Sequence, residues 1–489
     1  MPRCDLIIRD VTLYDGTGAP AHVGDLAVEG DKIAACGDLG GWVGAREIVA
    51  SGLALAPGFI DTHTHDDGML VSSTSDMTYK LSQGVTTVVV GNCGVSLSPA
   101  TFARRPPAPL DLLGDERSWI FDSFAEYSEQ LRVSPPPLNA LALVGHMTLR
   151  VAAMNGDTQR AATDREIARM RERLDEAMQE GACGLSSGLA YPPSLHAPTE
   201  EVIAVAEVVG AYGGLYTTHL RDEGVHVMES IEEALQIGKC AGARVIISHH
   251  KCAGPDSFGK SKQTLALIDR ANLDQEVDLD AYPYAASSTS LLAELVREDV
   301  PIRVSWSVPH PEVAGRTLAE IATEWGIDQR AAARRLSPAG AIYFSMDEAD
   351  VRRILAHPRT MIGSDGLPHG EGPHPRLWGT FPRVLGHYAR DLGLFDMATA
   401  IYKMTSRPAK VFGIENRGVL EQGAYADLVL FDPLHIADRA TFENPTQAAA
   451  GIRECWINGQ SAYRGETGVT GAKSGRLLRS TIRRREAIQ

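Results

Sequence analysis

Eight short apolar runs recur through the middle of this chain, and helix-like stretches separate several of them. The runs are "LAPGFIDTH", "VTTVVVGN" at 85–92, "LNALALVGH" at 138–146, "CGLSSGLA" at 183–190, "LYTTHL" at 215–220, "RVIISHHK" at 244–251, "VDLDAYPY" at 277–284 and "TMIGSDG" at 360–366. Between the third and fourth lies "TDREIARMRERLDEAMQEG". It opens with a capping box, Thr163 to Glu166, and stops at Gly181. Ile167, Met170, Leu174 and Met178 fall on one face of it. "PTEEVIAVAEVVGAYGG" reads the same way. Strands separated by helices pair in parallel. Eight such units predict an α/β fold, a distorted (β/α)8 barrel. No glycine-rich phosphate loop follows the first run, which argues against an open, doubly wound sheet.

The two ends read differently. Residues 1–55 carry "DLIIRDVTLYD" and "DLAVEGDKIAACG"; residues 417–489 carry "GVLEQGAYADLVLFDP" and "IRECWINGQSAYRG". These are short strands, and neither segment can bury a comfortable core alone. Together they predict one small β-sandwich domain beside a barrel over 56–416. Residues 285–345, between the seventh and eighth runs, are too many for a plain loop and predict an inserted lid or subdomain. The tail "SGRLLRSTIRRREAIQ" is basic and is expected to fray.

Composition narrows the function classes. Hydrophobic residues make up 44% and charged residues 22%, as in soluble globular proteins. No uncharged apolar stretch of about 18 residues exists, so no membrane span is predicted. The net charge of −15 and a pI near 5.5 argue against a nucleic-acid partner, which wants a basic face. The start, "MPRCDLIIRDVTLYDG", lacks a signal-peptide pattern, and a cytoplasmic location is expected. The seven cysteines are scattered and odd in number, so they predict reduced thiols rather than a disulfide framework.

The chemistry concentrates where the runs end. In a barrel of this kind the C-terminal strand ends build the active site. The first run ends in His63 and His65, and the second leads into Cys93. The fifth carries His219 with Arg221 two residues on. The sixth ends in His249, His250 and Lys251, and the eighth in Asp365. Alternation along a strand puts His63 with His65, His219 with Arg221, and His249 with Lys251 on shared faces. Each residue alone is a weak signal. Their convergence on one rim supplies imidazole, thiolate and carboxylate, the donors that zinc prefers. His146, after the third run, reads as structural.

The chain resembles the amidohydrolase superfamily and, within it, the N-acyl-D-amino-acid deacylases. The resemblance rests on "APGFIDTHTHDD", "VVVGNCGVSLSP", "SSGLAYPP", "THLRDEG", "ISHHKCAG", "AYPYAASST", "GSDGLPH" and "HPRLWGTFPRVLG", which span nearly the whole chain. Many binuclear members bridge their metals with a carboxylated lysine on the fourth strand. Here "CGLSSGLA" has no lysine, and the resemblance implies that Cys93 is the bridge instead. It further implies a tight zinc site from Cys93, His219 and His249, and a weaker one from His63, His65 and Asp365 with Cys93 shared. His249 is preferred to His250 because adjacent strand residues face opposite sides, and the family places the ligand first in "HHK".

The implied reaction hydrolyses the amide of a small N-acetyl- or N-formyl-D-amino acid. Asp365 would take the water's proton and pass it to the leaving amine. Lys251 and Arg376 are the candidates for the substrate α-carboxylate, with Tyr191 and Tyr282 as hydroxyl donors. Ser287, Ser288 and Thr289 are candidates for the pocket lining. "AASSTSLLAELV" at 285–296 contains no Lys or Arg, and Arg297 lies just beyond it. That favours neutral, mostly apolar side chains over N-acyl-D-glutamate or N-acyl-D-aspartate. A cyclic-amide hydrolase, such as a hydantoinase or dihydroorotase, is the nearest rival; the missing fourth-strand lysine argues against it. A non-enzymatic scaffold protein is the rival from another class, and such proteins tend to lose ligands that are all present here.

Overall fold

The structure is a computed structural model and describes residues 1–370 and 372–481. Its centre is a parallel barrel of eight strands. They are β1 Phe59–Asp61, β2 Val85–Val90, β3 Asn139–Ala142 with its continuation Val144–Gly145, β4 Gly184–Gly188, β5 Leu215–His219, β6 Arg244–Ile247, β7 Val277–Ala281 and β8 Thr360–Ile362. Parallel ladders run β1–β2–β3 and from the continuation of β3 through to β8. At the break in β3, the Leu143 N–H still donates to Val90 O at 3.0 Å. The ring closes loosely between β8 and β1: Thr62 N–H donates to Ile362 O at 3.4 Å, and Thr64 bridges Gly366. His63, His65 and Asp365 emerge at this loose seam.

Helices cover the barrel because their apolar stripes need the strands. Helix α1, Asp164–Glu180, is capped as its sequence requires: the Thr163 hydroxyl accepts from Glu166 N–H, and Gly181 ends it at φ 117°. Such a cap stabilises by about 1 kcal/mol. It buries Met170, Leu174 and Met178. Helix α2, Thr199–Tyr212, buries Val202, Val205 and Val209, and α3, Val227–Ala241, buries Ile231, Ala234 and Ile237.

The chain ends meet in one nine-stranded sheet. Arg3–Leu13 pairs with His22–Glu29 on one edge and with both Val43–Val49 and Ala54–Pro57 on the other. That fork folds the sheet over a core of Leu6, Ile8, Leu26, Val28, Leu428, Leu430 and Trp456, giving the small β-sandwich. The first apolar run is therefore split. Ala54–Pro57 joins the terminal sheet, pairing antiparallel with Leu428–Phe431, and the barrel begins only at Phe59. The hinge is Gly58, where an added Cβ would lie 2.2 Å from the Thr86 side chain.

Residues 285–345 hold an antiparallel sheet of Ser287–Ser290, Ala339–Tyr343 and Ile302–Ser307, with helices Leu318–Trp325 and Gln329–Leu336. This insert has its own core, including Val304, Leu318, Ile321, Ala332 and Leu336. The tail departs from expectation. Gly475 N–H donates to Pro136 O at 3.0 Å, Leu478 N–H to Ala140 O at 2.7 Å and Thr481 N–H to Gly413 O at 2.9 Å, so 475–481 is bound to the barrel. The rest of the tail, 482–489, lies outside the described residues. Among the described residues, no helix is long and apolar enough to cross a membrane, and none of the seven cysteines is in a disulfide.

Candidate metal centre

Among the described residues, two groups of donor atoms could hold a metal ion, and they share Cys93. One is Cys93, His219 and His249; the other is His63, His65, Cys93 and Asp365. Within each group the donor atoms lie within 4.8 Å of one another. Cys93 Sγ is 3.2 Å from His63 Nε2, 3.3 Å from His249 Nε2 and 3.8 Å from His219 Nδ1. Asp365 Oδ1 is 3.2 Å from His65 Nε2 and 3.6 Å from His63 Nε2. His250 turns away, as alternation predicts; its Nε2 lies 2.8 Å from Thr264 Oγ1.

The backbone is bent to achieve this convergence. Cys93, His249 and Asp365 all sit at positive φ, at 54°, 35° and 49°. A non-glycine residue there costs on the order of 1–3 kcal/mol and persists only where its surroundings hold it. Asp365 N–H donates to His63 O at 2.8 Å, and His249 N–H donates to Asp280 Oδ1 at 2.7 Å. Strain at three donor positions of one cluster marks it as built for more than packing.

The cluster's charge is equally specific. Burial pushes the Cys93 thiol up, but His63, His249 and His219 override that and hold it well below the ordinary thiol range. Burial likewise opposes ionisation of Asp365, and Arg376, His249, His65 and His63 hold it well below the usual carboxylate range. A thiolate, imidazoles and a carboxylate in one buried contact network match the donor preferences of zinc. His63 Nδ1, 3.4 Å from Asp280 Oδ1, makes no aligned hydrogen bond.

Of the substrate-binding candidates, Lys251, Tyr191 and Ser288 line the adjoining cavity, whereas Arg376 and Tyr282 are buried behind it. Arg376 is buried, with Nη1 2.8 Å from Asp365 Oδ2, and its Nη2 donates to Ser288 O at 2.9 Å. Its guanidinium stacks 4.5 Å from the centre of the Tyr282 ring. Lys251 Nζ donates to Glu223 Oε1 at 2.6 Å. Tyr191 Oη lies 3.4 Å from His219 Nδ1 and 3.1 Å from Thr289 Oγ1, and Tyr282 O–H points at Met346 Sδ at 3.8 Å. A cavity of about 310 Å³ opens from Asp365, His219 and Ser288 toward Leu295, Val300 and Tyr343 of the insert. Arg297 also borders it, but Asp256 and Asp299 hold its guanidinium at 2.8 Å and 2.7 Å.

Two rim residues stand outside the donor cluster, although Arg221 borders the cavity. Arg221 turns from the cluster to Glu233, 2.7 Å away, and to Ala197 O. His146 is buried with its Nε2 3.6 Å from Glu201, the partner of Arg150. Three groups that sequence reasoning passed over support the site. Glu223, in "THLRDEG", contacts His219, His249 and Lys251. Asp280, in "DLDAYPY", holds the His249 backbone and faces His63. Lys80 is wholly buried and joins Asp61 at 2.7 Å, Ser364 Oγ at 2.8 Å and Asp66 at 3.3 Å, tying the loops that carry His63 and Asp365. Glu223 and Asp280 stood inside motifs already singled out; nothing local marks Lys80.

Comparison with known proteins agrees with this geometry. The family model described as "Amidohydrolase family" matches residues 46–264 and 312–463. The chain is 53% identical over 477 residues to the D-aminoacylase of Alcaligenes xylosoxydans xylosoxydans, covering 98% of each chain. It is 50% identical over 472 residues to the N-acyl-D-aspartate deacylase of the same organism, covering 96% of this chain and 94% of that one. The crystal structure of N-acyl-D-glutamate deacylase from Bordetella bronchiseptica, complexed with zinc and a phosphonate mimic of the tetrahedral intermediate, superposes with a TM-score of 0.94 at 46% identity, over 98% of this chain and 100% of that one. With its barrel, its terminal β-sandwich and the cysteine-centred donor cluster, this chain belongs to the amidohydrolase family, among the N-acyl-D-amino-acid deacylases.

Proposed function

We propose that the protein is a zinc-dependent deacylase of N-acyl-D-amino acids with neutral, mostly apolar side chains, releasing the D-amino acid and a carboxylate. The observation that carries this reading is the pair of donor clusters sharing Cys93 at the mouth of the barrel. Cys93, His219 and His249 would hold the tighter ion; His63, His65 and Asp365 would complete a weaker site. Zinc, when bound, is a Lewis acid that polarises an amide carbonyl and acidifies water.

The chain's own residues supply the rest. Asp365 is kept anionic by Arg376 and would accept a proton from the attacking water, then deliver it to the leaving nitrogen. Lys251 and Arg376, with Tyr191, Tyr282 and Ser288, would receive the α-carboxylate. Leu295, Val300 and Tyr343 give the cavity an apolar wall, which suits an apolar substrate side chain. Arg297 is neutralised by two aspartates and is poorly placed to select an acidic one. A cytoplasmic setting is supported by seven unpaired cysteines.

The test is a panel of N-acetyl and N-formyl D- and L-amino acids with zinc-loaded protein. N-acetyl-D-leucine should be cleaved far faster than its L enantiomer and faster than N-acetyl-D-aspartate or N-acetyl-D-glutamate. Equal rates on the enantiomers would sink the D-deacylase reading. Faster cleavage of the acidic substrates would sink the side-chain preference alone.

A further inference from the structure

Glu223 stands behind the tighter donor group, on the side away from Cys93. Its two carboxylate oxygens divide between the two histidines. Oε1 is 3.0 Å from His249 Nδ1, and Oε2 is 3.5 Å from His219 Nε2. In each ring this is the nitrogen opposite the one that faces Cys93, which is Nε2 in His249 and Nδ1 in His219. A neutral imidazole can ligate only through the nitrogen that lacks a hydrogen. For His249 to offer Nε2, its Nδ1 must carry the hydrogen and must donate it to an acceptor.

A competitor stands at the same atom. Lys251 Nζ lies 2.7 Å from His249 Nδ1 and can only donate. If Lys251 donated to Nδ1, the hydrogen would move to Nε2 and that nitrogen could no longer ligate. Glu223 can decide this contest, since its Oε1 accepts from Lys251 at 2.6 Å and also lies 3.0 Å from His249 Nδ1. His249 and Lys251 are buried, and Glu223 is nearly so.

We propose that Glu223 is a positioning residue for the metal: one carboxylate selects the ligating tautomers of both His219 and His249 and takes the Lys251 hydrogen that His249 Nδ1 would otherwise accept. This rests on the reading of Cys93, His219 and His249 as metal ligands. It assigns "THLRDEG" a purpose beyond its histidine, because the carboxylate must follow His219 at the distance that lets it reach back over both rings.

The experiment measures zinc affinity by competition with a chromogenic chelator. It uses full-length wild type and the variants Glu223→Gln, Glu223→Gln/Lys251→Met, Glu223→Asp and His249→Ala. Glutamine can accept with one oxygen only, so Glu223→Gln should weaken zinc about 10- to 100-fold, the usual range for losing a partner of a metal-bound histidine. Removing the competing donor as well should recover most of that loss in Glu223→Gln/Lys251→Met. A purely structural role for Glu223 would make the double variant worse, and that result would overturn the proposal. Should Glu223→Gln fail to fold, Glu223→Asp keeps the charge but withdraws the oxygens by one methylene, and should also weaken zinc. Wild-type affinity in the folded Glu223 variants, with zinc lost in His249→Ala, would refute the tautomer role and leave the ligand assignment intact. Zinc retained by His249→Ala would bring down both.

Discussion

Asp365→Asn is the most informative single change in this protein. The substitution keeps size and one carbonyl oxygen but removes the basic carboxylate. Asp365 contacts His65 at 3.2 Å, His63 at 3.6 Å and Arg376 at 2.8 Å. Three consequences separate. The group of Cys93, His219 and His249 does not include Asp365, so its zinc should stay. The rate should fall on the order of 10²- to 10⁴-fold, the worth of a positioned acid–base group. That corresponds to about 3–5 kcal/mol of barrier. Stability should fall too, because Arg376 is 1% exposed and loses its only carboxylate partner among the described residues. Breaking one side of a buried pair typically costs about 3–5 kcal/mol, and the remaining Asn carbonyl should offset part of it. Adding Arg376→Met to Asp365→Asn should restore stability, so unfolding alone reads the buried-pair role of Asp365 apart from its role in the rate. The assay is zinc content, kcat, KM and urea unfolding on one preparation of each variant. A kcat within a few-fold of wild type, with zinc retained, would refute Asp365 as the proton carrier.

Two further changes probe the supports of the site and the barrel. Lys80→Met should destabilise by about 3–5 kcal/mol, because Asp61 and Asp66 would remain buried without their cation; a loss under 1 kcal/mol in urea unfolding would show that Lys80 does not hold them. Lys403 is buried against His357 O and Thr360 O, and burial, with Arg407 adding, lowers it from 10.5 to about 7. Between those values the unfolded chain binds one more proton than the folded one, so this group makes stability rise with pH, by at most about 1.4 kcal/mol per unit. Below about 7 the penalty is fully present. Lys403→Met should therefore be more stable than wild type at pH 6.5, with the gap closing toward pH 9.5; parallel stability curves would contradict the assignment.

Much of the architecture is local and could be read from the chain. The eight apolar runs, the capping box at Thr163 and Glu166 and the stop at Gly181 depend on residues a few positions apart, and they recur in the barrel and in α1. The side chains of His63, His65, Cys93, His219, His249 and Asp365 were legible as candidates because each ends a strand, and strand ends on one side of a barrel must meet. Alternation also separated His249 from His250.

Other features belong to the tertiary structure alone. Nothing in "LAPGFIDTH" shows that its first half joins one sheet and its second half another, since both halves are apolar; the close approach of Gly58 to Thr86 decides it. The positive φ of Cys93, His249 and Asp365 is not written in their local sequence, and contacts such as Asp365 N–H to His63 O hold it. Lys251 and Arg376 read in the sequence as candidates for the substrate carboxylate, and the fold gives each a carboxylate partner that the sequence did not assign, Glu223 at 28 residues' separation and Asp365 across the loose seam of the barrel. Lys80 reaches Ser364 over 284 residues. Periodicity reports which face a residue takes within its own element. Which charge lies opposite it is set by the closure of the barrel, because burial makes an unpaired charge costly and the partner that relieves it can come from any strand that closure brings near.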